Sequence, residues 1–231
     1  MGLKENIQEI QSRIEKAAAR SGRQATDITL VAVSKTVDLD KVRMAYELGL
    51  RNFGENRVQE LQQKMAGLPE ASWHMIGRLQ SNKIKDVVGQ VKLIHSLDRW
   101  KLAEDLEKRG QQAGLEVPVL IEVNISGEKQ KAGFPASEVK ALLESAGQFK
   151  SLRIYGFMTM APLTGQAELS RPIFRELSDM KQQLSKKSYT NVELKHLSMG
   201  MSDDFEVAIE EGASIVRIGT ALFRIKDRVE G

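Results

Sequence analysis

Short, nearly unbroken apolar runs alternate along the chain with stretches in which apolar residues return every three or four positions. Leu3, Ile7, Ile10, Ile14 and Ala17 recur at helical spacing and predict an amphipathic helix that ends before Ser21-Gly22. The run Ile28-Thr29-Leu30-Val31-Ala32-Val33 is too short for a typical helix and rich in β-branched residues, and it stops on Ser34-Lys35. That is the pattern of a buried parallel strand. The same alternation predicts a helix over 38–48, with Val42, Met44, Ala45 and Leu48 as its buried stripe, and then a strand over 50–54. A helix over 55–65, a strand over 72–77, a helix over 81–88 and a strand over 93–97 follow. Beyond them come a helix over 99–112, a strand over 118–124 and a helix opened by Pro135. The last elements are a strand over 152–159, a helix over 168–184, and strands over 192–197 and 214–218.

About eight strands separated by helices, with no shift in composition and no long linker, predict an α/β chain folded as a single (β/α)8 TIM barrel across residues 1–231. An open doubly wound sheet is the competing architecture. It would carry a glycine-rich turn after the first strand, where this chain has Ser34-Lys35-Thr36-Val37. A P-loop is excluded as well, since the stretch from Gly77 to Lys83 lacks the second glycine before its lysine.

Composition narrows the function classes. Hydrophobic residues make up 41% of 231, enough for a sizeable core. The net charge of +3 is spread along the chain and aromatics are 5%, so the basic patch with stacking rings of a nucleic-acid binder is missing. The absence of cysteine removes disulfides, thiolate metal sites and thiolate nucleophiles. Lys4, Glu5 and Glu9 interrupt the N-terminal apolar residues, and no apolar run approaches about 20 residues, so no membrane span and a cytoplasmic location are expected.

In a barrel of this kind chemistry sits at the carboxyl ends of the strands. Strand alternation puts Lys35 on the face of Val31 and Val33, so its amine points into the mouth if those two point into the barrel. An amine held there sheds solvation, and a neutral amine attacks carbonyls. The plainer reading is a solvated lysine at the start of a loop. The loops after the seventh and eighth strands are the usual phosphate site of the fold, and here they read Leu197-Ser198-Met199-Gly200-Met201-Ser202-Asp203-Asp204 and Arg217-Ile218-Gly219-Thr220. Each glycine-hydroxyl pair alone is a helix cap, with Ser202 or Asp203 as the cap of the first; together, at the two expected loops, they form an anion cradle. Arg217 closes an otherwise apolar strand, where it is a surface arginine, pairs with Asp203 or Asp204, or donates into the mouth. An amine, a phosphate cradle and an arginine at one mouth point to pyridoxal 5′-phosphate (PLP) as the ligand. His74, His95 and His196 share no spacing that would fix a metal. Met158, Met160, Met199 and Met201 suit either the core or the underside of a flat ring. Lys129 and Lys131 lie in a charged loop that overhangs the mouth, which is either simply solvated or uses Lys129 or Lys131 to attract a phosphate or to act as a lid.

Six blocks carry a resemblance as well. They are Val31-Ala32-Val33-Ser34-Lys35-Thr36, the stretch from Phe53 to Glu60, the stretch from Trp73 to Lys83, the stretch from Gly156 to Pro162, the stretch from Leu197 to Asp204, and Val216-Arg217-Ile218-Gly219-Thr220. In this order they resemble the signature blocks of the pyridoxal phosphate homeostasis proteins of the YggS/PROSC type, over nearly the whole chain. The resemblance implies a PLP fold-type III barrel, related to the N-terminal domain of alanine racemase, with Lys35 as the Schiff-base lysine. It implies that Ser198, Gly219 and Thr220 line the phosphate, that Arg217 lies near the pyridine nitrogen and that Asn56 lies near the ring hydroxyl. It further implies a role in vitamin B6 homeostasis without turnover, with PLP-dependent apo-enzymes as recipients. A racemase-like enzyme is the alternative. Racemisation needs acid/base groups on both faces of the substrate, and in alanine racemases an added β-domain supplies one of them. This sequence ends about a dozen residues after its last strand, and none of Tyr46, Tyr155 and Tyr189 is placed at the mouth by the pattern. A carrier that works as a monomer is therefore the leading expectation.

Overall fold

The computed structural model describes residues 2–128, 130–162 and 165–224. Eight parallel strands form a closed ring: β1 (Thr29–Val33), β2 (Asn52–Glu55), β3 (Ser72–Met75), β4 (Leu93–Leu97), β5 (Val117–Asn124), β6 (Leu152–Met158), β7 (Val192–Ser198) and β8 (Ile215–Ile218). The ring closes where β1 pairs with β8, with Val31 opposite Arg217, and where β4 pairs with β5, with Ile94 opposite Val119. Helices α1 (Leu3–Arg20), α2 (Leu39–Glu47), α3 (Val58–Gly67), α4 (Trp100–Ala113), α5 (Ala136–Ser145), α6 (Arg171–Leu184), α7 (Phe205–Glu210) and α8 (Thr220–Phe223) accompany the strands. This is the (β/α)8 barrel that the alternation predicts. Among the described residues no helix is long and apolar enough to cross a membrane.

Strand alternation divides the apolar residues into two cores. Val31, Leu93, Leu120, Met158 and Ile215 meet in the centre of the barrel, with Tyr155 packed against them. Their neighbours of opposite parity, such as Ala32, Ile94, Val119 and Val216, face outward into a larger core shared with the helices. Each fully buried Leu, Ile or Phe there contributes about 1.5–3 kcal/mol. The shift of register at Gly156 between β6 and β7 changes the parity of β6, so Tyr155 and Met158 both reach the centre.

Several boundaries differ from the sequence pattern for physical reasons. The helix expected from residue 55 starts at Val58, because Glu55 ends β2 with a fully buried side chain. Residues Ser81–Asp86 form a 3-10 helix instead of an α-helix, and Ala167–Ser170 form another before Pro172 opens α6. Val42 and Ala45 are the buried residues of α2, whereas Met44 and Leu48 are exposed, at 51% and 37%. A two-residue strand, Phe134–Pro135, adds to the end of β5 and leads into α5.

Candidate functional site

The mouth at the carboxyl ends of the strands holds a cavity of about 470 Å³. Its wall carries Lys35 after β1, Asn56 after β2, Glu122 from β5, Arg217 from β8, and Ser202, Gly219 and Thr220 from the two last loops. A larger hollow, of about 680 Å³, lies on the outer face of α6. There Arg171 is bonded to Glu168, Glu210 and Glu211, which makes it a solvated ion-pair surface. The chemistry is therefore at the mouth.

Val31 is in the central core, and Val33 and Lys35 follow on the wall above it, as period-two alternation requires. Lys35 is exposed, so the stripping of water expected around its amine is not supplied by the protein wall alone. Asn56, Arg217, Gly219 and Thr220 join it on the same cavity, which brings together five of the six residues singled out in the sequence.

Ser198 is the exception. Its side chain is fully buried beneath the cavity, where its hydroxyl accepts from Arg217 Nη1 at 2.6 Å and meets His95 Nδ1 at 2.9 Å. Gly200, with φ of 89°, then turns the chain, and the next hydroxyl to reach the wall is Ser202. Ser202 Oγ accepts from the backbone N–H of Ala221 at 3.2 Å, which ties the two last loops into one cradle with Gly219 and Thr220. The cap of α7 is Asp204, whose carboxylate accepts from the N–H of Met201. A Cβ at Gly219 would lie 3.0 Å from the carbonyl oxygen of Val33, so a glycine is what lets β8 end this close to β1.

Arg217 is 4% exposed and forms no ion pair with Asp203 or Asp204. Its second nitrogen donates to Thr159 O at 3.0 Å. Burial lowers its pKa to about 10, against the raising influence of Glu122 and Asp204, which leaves a cation at neutral pH. Behind Ser198 a line of hydrogen bonds runs down the barrel: His95 Nε2 to His74 Nδ1 at 3.0 Å, and His74 Nε2 to Asn52 Oδ1 at 3.2 Å. Lys92 Nζ donates to the same Asn52 oxygen, which marks it as the acceptor end of the amide. Burial lowers the pKa of His74 to about 3, with Lys92 and His196 adding to the effect. His95 is held well below its usual value by burial, then by His74 and Arg217. Both rings are therefore neutral, and the acceptor on Asn52 fixes the rest. His74 donates from Nε2, His95 donates to His74, Ser198 donates to His95 and Arg217 donates to Ser198.

The hydrophobic pattern does not single out Glu122, although a charged residue inside the apolar strand over 118–124 is the signal for it. Its side chain shows no hydrogen bond or ion pair to any described residue, yet it is 4% exposed. Burial, then Asp98, raises its pKa to about 7, against Arg217 and Arg78. It is a proton-holding group on the cavity wall. Met160 and Met201 also line the cavity, whereas Met158 and Met199 are core residues. Lys131 is paired with Glu128 and Ser126, and Lys129 lies outside the described residues.

A family profile described as "Alanine racemase, N-terminal domain" matches residues 3–227. The chain is 45% identical over 225 residues to the pyridoxal phosphate homeostasis protein of Aquifex aeolicus (strain VF5), covering 96% of this chain and 98% of that one. It is 41% identical over 228 residues to the pyridoxal phosphate homeostasis protein of Pseudomonas aeruginosa, covering 97% and 96%. Among solved structures it is similar to PipY of Synechococcus elongatus PCC7942 with PLP bound, at 33% identity and a TM-score of 0.83, covering 96% of this chain and 100% of that one.

Proposed function

The chain belongs to the pyridoxal phosphate homeostasis proteins, within the alanine racemase N-terminal-domain family, and on that footing we propose that it holds PLP reversibly as a Schiff base on Lys35 and passes it to PLP-dependent apo-enzymes. It does so as one domain and as a monomer in the cytoplasm, with no turnover of its own.

The observation that carries this reading is one cavity shared by a lysine amine, a buried guanidinium and a cradle of two hydroxyls with backbone N–H groups. A planar ring bearing an aldehyde and a phosphate asks for that set of donors. When bound, the cofactor supplies an electrophilic aldehyde. Lys35 would be the nucleophile for it, with one water released. Ser202, Gly219 and Thr220 would hold the phosphate, with Arg217 serving the ring nitrogen and Asn56 the ring hydroxyl. Arg217 is a cation whose direction is set by Ser198 and Thr159, so it does not accept a proton from the ring. An arginine at that nitrogen favours holding the cofactor over using it as a strong electron sink.

Titration of the protein with PLP, followed by absorbance, tests the reading. The wild type gives the band of a protein imine, and Lys35→Ala binds the cofactor without that band. An unchanged band in Lys35→Ala overturns it.

One observation favours the racemase-like alternative: Glu122 is an unpaired carboxyl on the cavity wall with a pKa near neutrality, and such a group can exchange a proton with a substrate. Amino-acid α-proton exchange in deuterated water separates the two readings. Saturable exchange that requires Lys35 would assign an enzyme; its absence supports the carrier.

A further inference from the structure

Lys35 sits at the corner of a four-residue turn. The N–H of Val37 donates to Ser34 O at 2.9 Å, and Thr36, the third residue of the turn, has φ of 63°. Turns with positive φ at that position favour glycine or asparagine, and a β-branched threonine is strained there. Such a conformation persists where its surroundings over-determine it.

The surroundings are specific. Lys64 of α3 reaches behind the turn and donates to the same Ser34 carbonyl at 2.6 Å. It also donates to Glu55 Oε1 at 2.6 Å, and the hydroxyl of Ser34 donates to that oxygen at 2.6 Å. The side chain of Glu55 is fully buried and that of Lys64 is 9% exposed. Neither residue is on the cavity wall. The N–H of Thr36 is in turn directed at Glu60 Oε2, at 3.4 Å. A buried ion pair is a costly way to fill space, since an apolar pair of the same volume is often as stable. This one is spent on the backbone next to Lys35.

A choice of direction exists for Lys35 to lose. A second hollow, of about 280 Å³, adjoins the mouth and has Lys35, Thr36, Lys41 and Thr220 on its wall. Lys35 borders both spaces, so the geometry of its turn decides which of them its amine serves.

We propose that Glu55 and Lys64 are positioning residues for Lys35: their buried pair holds the Ser34–Val37 turn closed against the strain at Thr36 and aims the amine into the mouth. The inference rests on Lys35 being the lysine that binds the aldehyde. It predicts that the pair acts on imine formation and not on recognition of ring or phosphate.

The test compares two ligands that share a ring and a phosphate. PLP has the aldehyde; 4′-deoxypyridoxine 5′-phosphate has a methyl group in its place. Lys64→Met lowers the rate of imine formation with PLP about tenfold or more, read by absorbance, and changes affinity for the deoxy ligand less than about twofold. The loss is smaller when Lys64→Met is combined with Thr36→Gly, because the relaxed turn needs less holding. Ser34→Ala, a milder change that removes the hydroxyl's bond to Glu55 Oε1 and leaves both Lys64 contacts in place, shifts both readouts in the same directions and keeps the test open if Lys64→Met does not fold. Unchanged imine formation in both variants, equal losses for the two ligands, or a loss that is independent of Thr36→Gly each overturns the proposal. A wild-type protein that forms no imine on Lys35 overturns instead the reading on which it rests.

Discussion

Arg217 donates to the hydroxyl of Ser198 over 2.6 Å inside the barrel, and that hydroxyl has no access to the cavity above it. The serine that ends β7 and the one in the loop after it therefore do different work. Ser198→Ala leaves His95 Nδ1 and one Arg217 nitrogen without a partner and costs about 1–3 kcal/mol of stability. Ser202→Ala removes a hydroxyl from the cradle together with its bond to the Ala221 N–H, so it weakens binding of phosphate-bearing ligands several-fold and lowers stability less than Ser198→Ala does. Thermal unfolding and ligand titration of the two variants, side by side, check the split.

Glu122 and the two interior histidines give stability opposite dependences on pH. The folded protein keeps the Glu122 proton up to about pH 7, while the unfolded chain releases it near the ordinary carboxyl value. Protonation thus favours folding, and this contribution, on the order of 3 kcal/mol, is lost as pH rises from about 4.5 through 7. His74 is depressed to about 3 and His95 also lies well below its usual value, so their contribution is present above about pH 6.5 and is lost as pH falls below it. Urea unfolding of the ligand-free protein across this range, beside Glu122→Gln, isolates the carboxyl. The stability of wild type minus variant falls with rising pH from about 4.5 to 7; a difference that stays constant contradicts the assignment.

Gly200 has φ of 89°, and a Cβ there would lie 2.6 Å from the Cβ of Ala208 and 2.9 Å from the Cα of Phe205. Gly200→Ala is expected to cost about 1–3 kcal/mol through strain and crowding. It also displaces Ser202, so phosphate affinity falls together with the melting temperature, which drops further than in Ser202→Ala.

Much of this architecture was readable in advance because buried parallel strands have short apolar runs and little else. Ile28 to Val33 ends on the residue that reaches the mouth, and Arg217 stands out as one charge in an apolar strand. What the pattern does not contain is the turn of the backbone between two candidate side chains. Alternation puts Ser198 on the inner face, but the positive φ of Gly200 decides that Ser202, and not Ser198, reaches the cradle. The pattern places Glu55 in a helix because its partner, Lys64, is nine residues away in sequence, so nothing local marks it as the end of a strand with a buried ion pair. Met44 and Leu48 fit a helical stripe, yet α2 is covered only along Val42 and Ala45. Composition and spacing carry which face a residue is on; they do not carry how far a neighbouring element extends over it.

The central claim concerns one amine, and borohydride reduction of the PLP-loaded protein followed by peptide mass spectrometry tests it most directly. The account predicts a phosphopyridoxyl group on Lys35, absent from Lys35→Ala. A modification on another lysine, or none on a protein that retains its cofactor, would contradict it.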